Sequence, residues 1–173
     1  MTAIDDWPAA QDIASERLVL EPLRVNHADE MAPLLFDPTL HSFIGGVPAT
    51  VEELRGRYEV QVIGRSDDGT QRWLNWILRH EESGAAVGIV QATVTIDADR
   101  TVAEVAWVIA SNYQSCGYAS EAAGAIAAWL RRQGVDVLIA HVHPEHEASK
   151  AVARRVGLAP TDEVVDCEVT WAG

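Results

Sequence analysis

Apolar positions along the chain change period several times, and each change marks an element. In SERLVLEPLR, Leu18, Leu20 and Leu23 alternate with polar neighbours, which predicts a first strand. NHADEMAPLLFDP then shifts to helical spacing, with Asn26 as a cap and Met31, Leu34 and Leu35 as the apolar stripe. A second helix follows in PATVEELRGRYEVQVIGR, where Thr50 and Glu53 stand at capping-box spacing. Residues 72–97 read as two strands joined at Ser83-Gly84, and Ala98-Asp99-Arg100 turns the chain into a third strand over 101–110. Beyond it, Ala119, Ala122, Ala123, Ile126, Trp129 and Leu130 recur at helical spacing as far as Gly134. VDVLIAHVH is a short apolar strand. Because a helix separates it from strand 101–110, the two should run parallel through a right-handed crossover. A last helix over about 147–156 stops at Gly157, and EVVDCEVTW closes the sheet. Residues 1–15 show no period and predict a loose arm anchored at Trp7-Pro8, leaving 16–173 as one domain.

Between the strand ending at Ala110 and the helix that follows lies SNYQSCG, residues 111–117. This junction has polar side chains, one cysteine and one glycine, and nothing that could fill a core. A plain connector needs no glycine there, whereas a cradle of backbone amides for an anion does.

A formal net charge of −13 argues against DNA, RNA and anionic membranes as partners, since those are held through basic surfaces. It suits a cationic partner equally with simple solubility. No apolar run reaches membrane-spanning length, and the acidic start lacks the basic-then-apolar order of a signal peptide, so a cytoplasmic protein is expected. Cys116 and Cys167 form no disulfide framework or CxxC spacing and are expected as reduced thiols. His141, His143 and His146 spell HxHxxH, but no Asp, Glu or Cys at suitable spacing completes a ligand set, so no metal is expected. Trp73, Trp76, Trp107 and Trp129 read as core residues.

The order β, α, α, β, β, β, α, β, α, β, taken with four short motifs, resembles the GNAT superfamily of acetyl-CoA-dependent N-acetyltransferases. The family's acyl-CoA motif stands here as Gln114-Ser115-Cys116-Gly117-Tyr118-Ala119. The branch that acetylates ribosomal-protein N-termini is the most similar, through Glu104 in AEVAWVIA, then GYASEA, then PEHEAS at 144–149, then Val156-Gly157-Leu158. The departures are His146 where that branch has Asn, Leu158 for Phe, Ser115 for a frequent Gly, and Ala153 where other branches carry a catalytic Tyr.

The resemblance implies an α/β (α+β) fold. Its mixed, mostly antiparallel sheet would have about seven strands, a parallel pair splayed at the cofactor site and about four flanking helices. It also implies transfer of an acetyl group from acetyl-CoA to a primary amine, of a small molecule or a protein N-terminus, by direct attack in a ternary complex. A non-catalytic acyl-CoA-binding or protein-interaction module of the same fold is the alternative. The free amides over 115–119, aimed by the first helical turn, would bind the coenzyme A pyrophosphate without side-chain charge. Gln114, Ser115, Cys116, Gly117, Tyr118, Ala119 and Ser120 form that site.

A backbone amide at Val108 or Ile109 would polarise the thioester carbonyl. Glu104 is the candidate base, its usefulness depending on partial burial, and it could equally be a strand glutamate facing solvent or an arginine. Ser149 is either a proton donor to the thiolate or a helix-start cap, and His146 either donates that proton or supplies a neutral hydrogen bond in place of Asn. Arg154, among Arg131, Arg132, Lys150 and Arg155, could meet the 3′-phosphate, or the group could be a solvated face. The acceptor is expected to be a cationic amine, with a homodimer left open.

Overall fold

The structure is a computed structural model that describes residues 6–173. In chain order its elements are β1 (Ile13–Ala14), β2 (Leu18–Pro22), α1 (Ala28–Leu34), α2 (His41–Ile44), α3 (Val51–Gln61), β3 (Gln71–His80), β4 (Ala86–Asp97) and β5 (Arg100–Ile109). They continue with α4 (Tyr118–Arg132), β6 (Val137–Val142), α5 (Glu147–Arg155), β7 (Ala159–Val165) and β8 (Glu168–Ala172). The strands form one eight-stranded sheet in the order β1-β2-β3-β4-β5-β6-β8-β7. Every adjacent pair is antiparallel except β5 and β6, joined through α4, so the expected crossover and mixed sheet are both present.

Three expectations need correction. The arm is anchored by Trp7, buried in the core as expected, but it is not loose throughout: Ile13 pairs with Leu20 and Ala14 with Val19. The segment 1–5 lies outside the described residues. Asn26 does not cap α1. Residues Val25–His27 form a 3-10 turn in which the Arg24 amide donates to His27 Nδ1, and α1 starts after it. Finally, EVVDCEVTW is not one strand: it holds the end of β7, a reversal at Asp166 and Cys167, both at positive φ, and most of β8, which pairs back on β7. The turn lacks the glycine that normally announces such a reversal.

The capping box on α3 is formed, with Glu53 N donating to Thr50 Oγ1 and Thr50 N to Glu53 Oε2. Ala98 and Asp99, also at positive φ, make the two-residue turn between β4 and β5.

Alternation along the strands sends side chains to two layers. On one face Leu18, Leu20, Leu74, Trp76, Leu78, Ala103 and Val105 pack with Ile126, Ala127 and Leu130 of α4. Burying one such leucine contributes about 2 kcal/mol, so this layer holds α4 to the sheet. On the other face, Ile77 and Ala86 meet Ala28, Met31, Leu54 and Tyr58 of α1 and α3. Those helices cover β3 and β4. The neighbouring part of that face, on β5, β6 and β8, carries Glu104 with half of its side chain exposed.

Candidate active site

The parallel pair β5–β6 ends early. Register runs from Val102 opposite Val137 to Glu104 opposite Ile139; beyond that point β6 pairs with β8, while β5 keeps only β4 as neighbour. The strands therefore diverge and open a gap. Ala110 donates its amide to Val87 of β4, and the Ile109 carbonyl accepts from Gln114 Nε2 at 3.1 Å. Because successive backbone groups point to opposite strand edges, the amide of Val108 turns towards β4, and those of Trp107 and Ile109 turn into the gap. Of the two amides expected to act on a carbonyl, Ile109 is the one so directed.

The junction is anchored from outside the motif. Ser115 has φ 61° and Gly117 φ 83°, both left-handed, and Gly117 is the N-cap of α4 with no side chain capping the helix. The first amides of α4 are thus left for another acceptor. Glycine suits this conformation because it has no Cβ. Glu121, in the first turn, does not face the cleft. It accepts from Ser15 Oγ at 2.7 Å, from the Arg17 amide at 2.6 Å and from Arg17 Nε at 2.9 Å. Burial pushes the Glu121 pKa up, but the donors from Ser15 and Arg17 outweigh it and hold the carboxyl below its ordinary value. Arg17 also donates to the Cys116 carbonyl and lies 4.7 Å from the Tyr118 ring centroid. Neither Arg17 nor the role of Glu121 was foreseen. The salt bridge spans more than a hundred residues of sequence, beyond the reach of any local pattern.

Gap and junction form one cleft of about 710 Å³. Glu104, Val108 and Ile109 line its strand side, Gln114, Ser115 and Gly117 its loop, and Tyr118, Ala119 and Ser120 the start of α4. His146 and Ser149 line it from α5. Two expected residues are elsewhere. The Cys116 thiol points to the Gln114 carbonyl outside the cleft lining, and Arg154 stacks its guanidinium over Trp171, 5.3 Å from the ring centroid. Arg155 is a second cation beside the junction after Arg17, with Nη1 3.4 Å from Ser120 Oγ.

His146 is the N-cap of α5, its Nδ1 accepting from the Ser149 amide at 3.1 Å. This leaves the ring proton on Nε2 and makes His146, not Ser149, the capping residue. Burial lowers the His146 pKa, so the ring is neutral at pH 7. Ala153, fully buried, offers no hydroxyl.

The open end of the cleft was less legible. Leu40 and Phe43 of α2 and its flanking turn close one side, with Phe43 4.2 Å from the His146 ring and 5.5 Å from that of His143. Val165, Asp166 and Glu168 of the β7–β8 hairpin close the other. His141 stands beside Glu104, Nε2 to Oε2 3.8 Å, and its Nδ1 is 3.2 Å from Thr170 Oγ1. The cleft lining carries acidic groups and histidines but no lysine or arginine. Among the described residues, no group of three His, Cys, Asp or Glu is placed to hold a metal, and no helix is long and apolar enough to cross a membrane.

None of the curated protein sequences matches the chain. Solved structures do. The GNAT-family acetyltransferase from Bacillus anthracis superposes with a TM-score of 0.78 at 20% identity, covering 94% of this chain and 98% of that one. An acetyl transferase from Salmonella typhimurium that modifies the N-terminal serine of 50S ribosomal subunit protein L7/L12 gives 0.74 at 17% identity, with 94% and 98% covered. The microcin C7 self-immunity acetyltransferase MccE, in complex with acetyl-CoA and AMP, gives 0.74 at 14%, with 91% and 92% covered. At these identities the likeness establishes the fold. Residues 17–159 match the acetyltransferase (GNAT) domain, and the chain belongs to that family.

Proposed function

We propose that the protein transfers an acetyl group from acetyl-CoA to a primary amine, of a small molecule or a protein N-terminus, in a ternary complex. The observation that carries this reading is the continuity of one cleft from the uncapped α4 N-terminus, past the Ile109 amide, to Glu104. Acetyl-CoA fits the first part on chemical grounds: amides over 115–119 and the α4 dipole suit a pyrophosphate, and Gly117 leaves the backbone bare. Arg155, beside Ser120, replaces Arg154 as the cation for a phosphate. Complexes of relatives with acetyl-CoA support the same assignment.

Acetyl-CoA supplies the thioester to be attacked. The chain's residues divide the remaining work. The gap-facing amides of Ile109 and Trp107 donate to the carbonyl oxygen as it gains charge. Glu104 accepts an N–H of the incoming ammonium and holds it against the carbonyl carbon. Once the ammonium has given one proton to a base in the cleft, its freed electron pair bonds nitrogen to that carbon, the carbon–sulfur bond breaks, a second N–H proton leaves as the amide forms, and the thiolate takes a proton from solvent or from the Ser149 hydroxyl, which that second proton replaces. His146 offers a neutral Nε2–H as a hydrogen-bond donor, because its other nitrogen is committed to the Ser149 amide. The acidic, aromatic open end favours a cationic acceptor in the cytoplasm.

Thermal unfolding with coenzyme A followed by thiol release against a panel of amines tests the proposal. Millimolar coenzyme A should raise Tm, since a native-state ligand adds RT ln(1 + [L]/Kd). Gly117→Val should remove the rise while the protein stays folded, because a β-branched residue resists φ 83°. No rise in the unaltered protein refutes cofactor binding; a rise without thiol release identifies a non-catalytic module.

A further inference from the structure

His141 belongs to the HxHxxH stretch that neither metal chemistry nor cofactor binding absorbs. It projects from β6 onto the open face next to Glu104, with its side chain 19% exposed against 50% for Glu104. Its Nδ1 meets the hydroxyl of Thr170, which is itself buried. A hydroxyl accepts as readily as it donates, so it can take the Nδ1–H and leave the Nε2 lone pair facing the cleft. The 3.8 Å from Nε2 to the Glu104 carboxylate is too long for a hydrogen bond between them. It leaves the two acceptors side by side, a separation that one nitrogen with several N–H donors can bridge.

We infer that His141 is a further catalytic residue: its Nε2 takes the proton of the acceptor ammonium while Glu104 holds a second N–H of the same nitrogen. This deepens, and rests on, the acetyl-transfer reading. In the step, one N–H bond of the ammonium breaks and an Nε2–H bond forms. The electron pair stays on the substrate nitrogen, free to attack the thioester, and the imidazolium is balanced by the Glu104 carboxylate. Imidazole is better matched than a carboxylate to accept a proton near neutral pH. The charged and titratable groups that line the cleft with the ring are Glu104 from β5, Asp166 and Glu168 from the β7–β8 hairpin, His143 on its own chain segment and His146 from the start of α5. His146, neutral at pH 7, adds no positive charge there.

Two measurements decide the matter. Ring-nitrogen NMR of the unaltered protein should find neutral His141 protonated on Nδ1. With acetyl-CoA and spermidine, tyramine or an alanyl peptide as acceptor, His141→Asn should lower kcat/KM for the amine by about 10² to 10⁴. The KM for acetyl-CoA should stay within threefold, and the rate should recover as pH rises towards that of the free amine. Glu104→Gln should lose less, about 10-fold to 10². An Nε2-protonated ring, or His141→Asn activity within threefold alongside inactive Glu104→Gln, overturns the inference and leaves Glu104 as sole base. That result differs from failure of the acetyl-transfer reading, in which the unaltered protein releases no thiol with any of the three amines.

Discussion

At the scale of single residues, His146 shows how a change of residue type can conserve a contact. Asn and His present an acceptor at similar reach from the backbone, and here Nδ1 caps α5 through the Ser149 amide. The ring is neutral at pH 7 and offers only a weakly acidic Nε2–H, so it serves better as a positioning donor than as an acid. His146→Asn should therefore keep the cap and leave kcat within a few-fold, one neutral hydrogen bond being worth about 1 kcal/mol. His146→Leu should lose the cap and about 1 kcal/mol of stability, read from denaturant midpoints. A loss of 10² or more in the Asn variant, with acetyl-CoA affinity unchanged, would make His146 the acid instead.

At the scale of elements, α4 is held at its two ends by different physics. Its length is fixed by apolar burial: Ile126 is fully buried, and Ile126→Ala should cost about 2 to 5 kcal/mol in unfolding free energy. Its N-terminus is fixed by the Glu121 carboxylate on Ser15 and Arg17. Glu121→Ala leaves the Arg17 amide without that acceptor, a loss of about 1 to 3 kcal/mol. It should also weaken coenzyme A binding, because Arg17 ties the same corner to the Cys116 carbonyl. Calorimetric titration separates the two effects. Unchanged coenzyme A affinity in the destabilised variant would show that the junction holds its shape without the clamp.

At the scale of the molecule, stability should fall with acidity in two stages. His27 is buried and its pKa is lowered, chiefly by burial, and the same cause acts on His146. Such groups bind protons more readily unfolded, so stability is complete above the unfolded histidine value near 6.5 and declines as pH falls below it. Glu30 and Glu121 have lowered pKa values, through Arg79 and through Ser15 and Arg17. Their contribution is present above the unfolded glutamate value near 4.3 and is lost as pH falls through their folded values. A Tm profile from pH 8 to 3 should show both declines, and His27→Gln should flatten the upper one. A profile level from pH 8 to 5 would contradict the histidine part.

What the sequence by itself determined is everything that depends on short-range periodicity and backbone conformation. The alternation of Leu18 and Leu20, the Thr50–Glu53 box, the apolar stripe of α4 and the glycine at 117 each act within a few residues, where the chain's own geometry sets the outcome. The GNAT resemblance rested on such local motifs and located the junction and Glu104. Tertiary structure alone decided which groups meet. The Arg17–Glu121 clamp, the early end of the β5–β6 pairing, Arg154 on Trp171, and His141 between Glu104 and Thr170 all join residues far apart in the chain. The hairpin at Asp166 and Cys167 escaped for a different reason: pairing across the sheet edge imposes positive φ on residues that would not choose it alone. Local propensity sets the elements, but the chemistry of the cleft arises from contacts whose partners only folding brings within hydrogen-bonding distance.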